Sequence, residues 1–201
     1  MLKVYKIYPQ GFASNSYAVT ADGKTCVMVD CAQPRVWDKV AELGLKPVAV
    51  LLTHGHYDHI GGCPVFTQNG VPVYASEEEA KNMFTPEYAS ISPRPVQSFS
   101  VNTVRGGQTL TFAGIDFRVI STPGHTSGGV CYLTDDCLFT GDTLFCESVG
   151  RTDLPTGSYS QIVTSVKKLY ALPGDYKIYC GHEEDSTLSH ERANNPFVRA
   201  D

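Results

Sequence analysis

Residues Pro47 to Thr53 read PVAVLLT, an apolar run with no polar face, and the next six residues are His54-Gly55-His56-Tyr57-Asp58-His59. A strand of that kind has to be covered on both faces. It belongs inside a layered structure, with chemistry-bearing side chains gathered at its carboxyl end. The segments around it agree. Leu2 to Tyr8, Asn15 to Thr20 and Thr25 to Asp30 are strand-like, the last two joined by an Asp22-Gly23 turn of hairpin type. Pro34 to Leu43 predicts a short amphipathic helix stopped by Gly44, and Ser76 to Phe84 another, with Ser76 as N-cap and Glu79 at the capping-box position. Between Val101 and Asp142 strands return as VNTV, QTLTFAG, IDFRVIST, GGVCYLT and CLFTGD. A helix over Ser158 to Leu169, a strand over Lys177 to Cys180 and a helix over Ser186 to Asn194 complete the chain. Strands then helix, twice over, predict an α/β fold: one domain over residues 1–201, an αββα sandwich of two mixed β-sheets with helices on the outer faces.

A net charge of −5 argues against a general nucleic-acid or anionic-membrane partner, which needs a concentrated positive field. No stretch approaches the roughly 20 apolar residues that span a bilayer, and MLKVYKIYPQ has no secretory pattern. The seven cysteines form no CxxC pair and several sit in apolar runs, as free thiols do in a reducing compartment. A soluble, cytoplasmic protein is the expectation. Thr85 to Ser100, with Pro86, Pro93 and Pro95, is long for a loop in a compact domain and reads as a lid or an insertion. Arg94 within it is a lid residue or has no role. Glu77 to Glu79 are expected on a solvated helix face, Cys146 as a buried inert thiol, and His190 on the surface. Tyr57 either touches substrate or packs.

The remaining histidines and one aspartate repeat a single arrangement. His125 follows IDFRVIST through Pro123-Gly124, Asp142 follows CLFT after Gly141, and His182 follows KIYC after Gly181. Strand ends hold side chains rigidly, and glycine lets backbones approach a shared centre. Imidazole and carboxylate without thiolate spacing suit zinc, iron or manganese. His54-x-His56 projects two imidazoles to one side, while Asp58 and His59 point elsewhere and supply ligands for a second ion.

HGHYDH followed by separate His125, Asp142 and His182 resembles the metallo-β-lactamase superfamily over most of the chain. That resemblance implies one metal on His54, His56 and His125, a second on Asp58, His59 and His182, and Asp142 bridging them. β-Lactamases of the commonest type have cysteine in place of Asp142 and no counterpart of His59, so antibiotic hydrolysis is not expected. TGDTLF (140–145), GRTDLPTGS (150–158) and STLSHERANNPFVR (186–199) are most similar to glyoxalase II, the hydroxyacylglutathione hydrolases, in a short form without the further C-terminal helical region. The resemblance implies two divalent ions, zinc first, with iron or manganese as the other candidates. It implies hydrolysis of a small-molecule thioester, S-(2-hydroxyacyl)glutathione such as S-lactoylglutathione, by a hydroxide shared between the ions. Asp58 and Asp142 would orient that nucleophile, and Arg151 would meet a substrate carboxylate. The nearest rival is a persulfide dioxygenase with a single iron at His54, His125 and Asp142. A lactonase and a non-catalytic, metal-stabilised module follow. A ribonuclease of this fold ranks lower still, for want of a basic arm.

Overall fold

The structure is a computed structural model that describes residues 2–200. β1 (Lys3–Ile7), β2 (Ser16–Thr20) and β3 (Thr25–Val29) form an antiparallel meander. The β2–β3 turn is fixed by Asp22, whose Oδ1 accepts the Lys24 and Thr25 N–H groups, both at 2.8 Å. After α1 (Val36–Glu42) the chain enters β4 (Lys46–Leu51), parallel to β3. Two short helices follow, α2 (Tyr57–Ile60) and α3 (Cys63–Gln68), and then β5 (Val73–Ser76), α4 (Glu77–Asn82), α5 (Pro86–Ser90) and β6 (Asn102–Val104). These strands make a mixed six-stranded sheet in the order β1-β2-β3-β4-β5-β6.

The second half builds a matching sheet. β7 (Thr109–Phe112), β8 (Ile115–Ser121), β9 (Val130–Thr134) and β10 (Cys137–Gly141) run antiparallel, and β11 (Leu144–Phe145) and β12 (Ser148–Val149) form a small hairpin at their end. After α6 (Tyr159–Tyr170), β13 (Lys177–Cys180) pairs parallel with β10, β14 (Ser186–Thr187) closes the edge, and α7 (Leu188–Asn194) follows. The order is β14-β13-β10-β9-β8-β7.

Side-chain alternation explains why these sheets stack and what covers them. Ala49 and Leu51 of β4 meet Val119, Tyr132 and Phe139 of the second sheet, while Val50 and Leu52 turn outward onto Val40, Ile60 and Phe66. On the far side Leu138 and Ile178 pack against Ile162, Val166 and Leu169 of α6. Burying a side chain of this size contributes about 1.5–3 kcal/mol. The result is the αββα sandwich expected, with the two faces of PVAVLLT both covered. The strand ends that carry His54, Asp142 and His182 open on the same edge of the two sheets, where the carboxyl ends of β4, β10 and β13 meet.

Some expectations give way. Glu79 is fully buried, so the Glu77–Glu79 run is not a solvated face throughout. Ser76 does cap α4 by accepting the Glu79 N–H at 3.1 Å, but the Glu79 carboxylate leaves the helix for Gly55 and Gly128. Cys146 is half-buried rather than enclosed, while the other six cysteines are buried and all seven are free. The Thr85–Ser100 stretch contains α5 before it becomes irregular. Among the described residues no helix is long and apolar enough to cross a membrane.

Candidate metal centre

Asp30 and Thr53 set the frame. Asp30 ends β3 with φ +53°, a left-handed conformation that aims its carboxylate across to the end of β4. There it accepts the Thr53 N–H on Oδ1 and the Thr53 hydroxyl on Oδ2, each at 2.8 Å. His54 follows in extended backbone, and His56 caps the amino end of α2. That turn of helix keeps Asp58 and His59 in the same cluster, with the ring centroids of His59 and His54 4.0 Å apart. The His59 carbonyl accepts the Cys31 N–H at 2.9 Å, tying α2 back to β3.

Ring orientations are fixed from behind. His59 Nδ1 lies 2.8 Å from Asp30 Oδ2 and His125 Nδ1 2.8 Å from the Arg151 carbonyl. Both partners only accept, so each Nδ1 carries the hydrogen, and in the neutral ring each Nε2 presents a lone pair to the centre. Glycine makes room for the approach. A Cβ on Gly181 would sit 2.1 Å from Asp142 Oδ1 and 2.7 Å from His59 Cε1, and Gly141 has φ +49°.

The donor atoms of His54, His56 and His125 lie within 4.8 Å of one another, as do those of His54, His59 and Asp142 and those of Asp58, His59 and His182. Individual spacings are shorter. His56 Nδ1 is 2.9 Å from His125 Nε2, His182 Nε2 is 3.3 Å from Asp58 Oδ2 and 3.4 Å from Asp142 Oδ2, and His125 Nε2 is 3.5 Å from Asp142 Oδ2. Two donors each 2.0–2.1 Å from one tetrahedral ion would lie about 3.3 Å apart. His54 Nε2 and His56 Nε2 are buried without a hydrogen-bond partner, and buried His59 Nε2 and Asp142 Oδ1 have only each other, 3.2 Å apart. Unpaired buried donors and acceptors are rare and costly. Imidazole nitrogens and carboxylate oxygens gathered this closely fit cations in both number and chemistry.

Charge divides the cluster. Burial, reinforced by the neighbouring imidazoles, pushes the His54 pKa well down and that of His56 down to about 3, so both are neutral ligands at working pH. Burial opposes the charge on His59 and His182 too. It is outweighed by Asp142 and Asp30 at His59, and by Asp142 and Asp58 at His182, where the pKa is pushed up to about 9. Burial likewise works against ionised Asp142, yet His59, His182 and His125 hold its carboxyl well below the usual range. One half of the centre thus offers neutral nitrogen and the other half anionic oxygen.

The seven residues singled out from the sequence all meet here. Arg151 does so only through its carbonyl. Its guanidinium is exposed and paired with Asp153, with Nε and Nη2 each 2.7 Å from a carboxylate oxygen. His190 stands apart, 3.0 Å from Glu147. It forms another close group with Cys146 and Glu191, but Glu191 is taken up by the Ser186 hydroxyl, the Glu147 N–H and the Asn195 amide. Asp30, expected only as a strand end, and Glu79, expected on a capping box and a solvated face, are not among the predicted site residues. Glu79 Oε2 accepts the Gly55 N–H at 2.7 Å and Oε1 the Gly128 N–H at 3.1 Å, so a buried carboxylate braces the link between His54 and His56. Asp30 closes TCVMVD as Asp142 closes CLFTGD, and that shared strand-end position was the available signal.

The chain is 32% identical over 98% of its length to a probable metallo-hydrolase of Streptococcus pyogenes serotype M6, covering 90% of that protein. It is 32% identical over 94% of its length to hydroxyacylglutathione hydrolase GloC of Haemophilus influenzae, covering 94% of it. Among solved structures it superposes on BLEG-1, a B3 metallo-beta-lactamase, with TM-score 0.89 and 31% identity, over 98% of this chain and 99% of that one. TTHA1623 in a di-iron-bound form gives TM-score 0.84 and 29% identity, over 96% and 100%. ETHE1 from Myxococcus xanthus gives 0.80 and 26%, over 96% and 83%. The family model described as the metallo-beta-lactamase superfamily matches residues 9–182, a span that takes in every donor described above, and the chain belongs to that superfamily.

Proposed function

We propose that the protein is a dinuclear metal-dependent hydrolase of small-molecule thioesters, with S-(2-hydroxyacyl)glutathiones such as S-lactoylglutathione as its substrate class. The observation that carries this reading is the second donor set: Asp58, His59 and His182 are gathered as tightly as His54, His56 and His125, with Asp142 between them. The likeness to GloC supports the substrate class. Two divalent cations held by these residues would supply acidified water, whose pKa falls from 15.7 to roughly 7 in such sites.

The rest is done by the chain. Asp142, within 3.5 Å of both His125 and His182, sits where the two donor sets join and is the carboxylate that shares itself between them. Asp58, which is less enclosed, faces the open side; burial opposes its charge, but His182 and His59 hold its carboxyl below the usual range, so it is an acceptor there. A departing thiolate, with a pKa near 8.5, needs no strong general acid, and none of the described residues at the centre is left over to be one. Arg151 would have to exchange Asp153 for a substrate carboxylate. Zinc leads among the ions, and the di-iron relative makes iron the first alternative. In this reading one domain, working in the cytoplasm, acts on a small molecule and needs neither nucleic acid nor membrane.

Two other readings have an observation behind them. The likeness to BLEG-1 returns β-lactams to the substrate panel, because Asp142 and His59 set this chain apart only from the commonest type of β-lactamase. The likeness to ETHE1 favours an oxygen-dependent reaction at one iron. The deciding experiment is hydrolysis of S-lactoylglutathione by metal-reconstituted protein beside a chelator-treated control, with bound metal counted. Metal-dependent turnover at two ions per chain is expected. Absent turnover at two ions overturns the thioester and moves β-lactams and lactones forward, while a single iron with oxygen consumption on a persulfide establishes the dioxygenase. Asp142→Ala with lost turnover and an unchanged Tm excludes a merely structural centre.

A further inference from the structure

A cleft of about 740 Å³ opens beside Asp58. Tyr57 and Asp58 lie at its inner end, the Gln10–Ala13 loop forms one wall, and the irregular segment 92–97 forms the other. A smaller cavity of about 280 Å³ adjoins it and shares Tyr57, Arg94, Pro95 and Val96. Both walls are held in place. Gln33 clamps the loop, its Oε1 accepting the Gln10 N–H at 3.0 Å and its Nε2 donating to the Gln10 carbonyl at 2.8 Å. Opposite, Val96 packs on the core, and the preceding helix α5 is anchored by the Tyr88 hydroxyl, 3.2 Å from Thr156 Oγ1.

The charges are what distinguish this cleft. The chain as a whole carries −5, yet apart from Asp58, which faces the candidate metal centre, the charged residues lining the cleft are Arg35 and Arg94. Among the described residues the Arg94 guanidinium has no hydrogen bond or ion pair. Arg35 spends Nη2 on the Tyr8 carbonyl at 2.7 Å and leaves a buried Nε without a partner. The Arg94 guanidinium with its donors unused, and the Arg35 charge on the same concave site without a neutralising carboxylate of their own, are arranged for an anion, and the guanidinium fork matches a carboxylate. Phe12, Pro34, Val65 and Pro95 add apolar lining.

We infer that this cleft receives the arm of the substrate remote from the scissile carbonyl, and that Arg94, assisted by Arg35, selects arms ending in a carboxylate. The inference rests on the thioester-hydrolase reading for the scissile bond, but the recognition itself does not depend on turnover. A thioester has two arms, and the shared chemistry is the terminal carboxylate on either one.

Three thioesters separate the arms: acetyl-N-acetylcysteamine with neither carboxylate, glutaryl-N-acetylcysteamine with one on the acyl side, and the acetyl thioester of 3-mercaptopropionate with one on the thiol side. With the metal-loaded full chain, kcat/KM is expected to favour one carboxylate-ended substrate over the uncharged one by about tenfold, the size of a charge-assisted hydrogen bond. Arg94→Gln is expected to remove most of that preference through KM, with Arg94→Lys restoring part of it and Arg35→Gln giving a smaller loss. A preference ratio within twofold of wild type in Arg94→Gln overturns the inference. Calorimetry with the non-hydrolysable thioether analogues of the two carboxylate-ended thioesters reads the cleft without catalysis. Binding weakened about tenfold in Arg94→Gln, in a protein that turns over no thioester, upholds the cleft and sinks the hydrolase reading. Turnover of thioesters with analogue binding unchanged in Arg94→Gln does the reverse.

Discussion

Asp30 Oδ2 lies 2.8 Å from His59 Nδ1, and the same carboxylate holds the Thr53 N–H and hydroxyl, so one buried side chain positions residues on both sides of His54 and His56. A partner of this kind fixes ring orientation and tautomer, and its loss typically costs 10–100-fold in metal affinity. Asp30→Ala is therefore expected to weaken binding of the ion at Asp58, His59 and His182 by about that factor. Competition between metal-free protein and a chromophoric zinc chelator measures it. Two equivalents bound with wild-type affinity would show that Asp30 only packs.

Glu79 braces the other half of the motif. Replacing it with alanine leaves the buried Gly55 and Gly128 N–H groups without an acceptor, at about 1–3 kcal/mol each, while glutamine keeps one acceptor. Glu79→Ala should lower stability by about 2–5 kcal/mol, and Glu79→Gln by less. Urea unfolding of both variants gives the comparison, and equal losses in the two would refute a role based on acceptors.

The donors were legible because the β-period, the apolar runs and the adjacent glycines mark strand ends, and His54, His125, Asp142 and His182 all occupy them. The sandwich was legible for the same reason: PVAVLLT needs two covered faces. What escaped was set by helix phase and by long-range contact. Three consecutive glutamates look alike in a sequence, and only the α4 orientation sends Glu79 inward toward Gly55, which is 24 residues away. Asp30 reads equally well as a turn residue until β3 and β4 are aligned. α2 and α3, of four and six residues, are too short to show a helical period, and β5 is a four-residue strand without alternation. Arg151 shows the opposite failure. The resemblance pointed to its side chain, and the fold brings its carbonyl to His125.

Gly181 tests the crowding at the centre. Its missing Cβ would fall 2.1 Å from Asp142 Oδ1, so Gly181→Ala must displace the carboxylate that lies between the two donor sets. A loss of at least about tenfold in metal affinity is expected, with the circular dichroism spectrum of the wild type. Two tightly bound ions in that variant would mean Asp142 has slack that the geometry does not show.

In the metal-free protein two pairs of histidines titrate in opposite senses, which sets its stability against pH. Burial holds the folded-state pKa of His54 well below its ordinary value and that of His56 down to about 3. The unfolded chain therefore binds protons on both as pH falls below about 6.5, the folded chain does not, and acid costs stability. His182, held at about 9, and His59, also raised, act in the other sense. They are protonated when folded and neutral when unfolded between about 6.5 and 9, so the stability they confer is lost as pH rises through that window. The two effects meet near the ordinary histidine pKa, and the metal-free protein should be most stable at about pH 6.5. With both ions bound, the cations replace the protons on His59 and His182, and the decline on the alkaline side should disappear. Urea midpoints from pH 4.5 to 9, with and without metal, test both limbs. A metal-free midpoint that stays flat or rises between pH 6.5 and 9 would mean that Asp30, Asp58 and Asp142 do not hold those two imidazoles as cations.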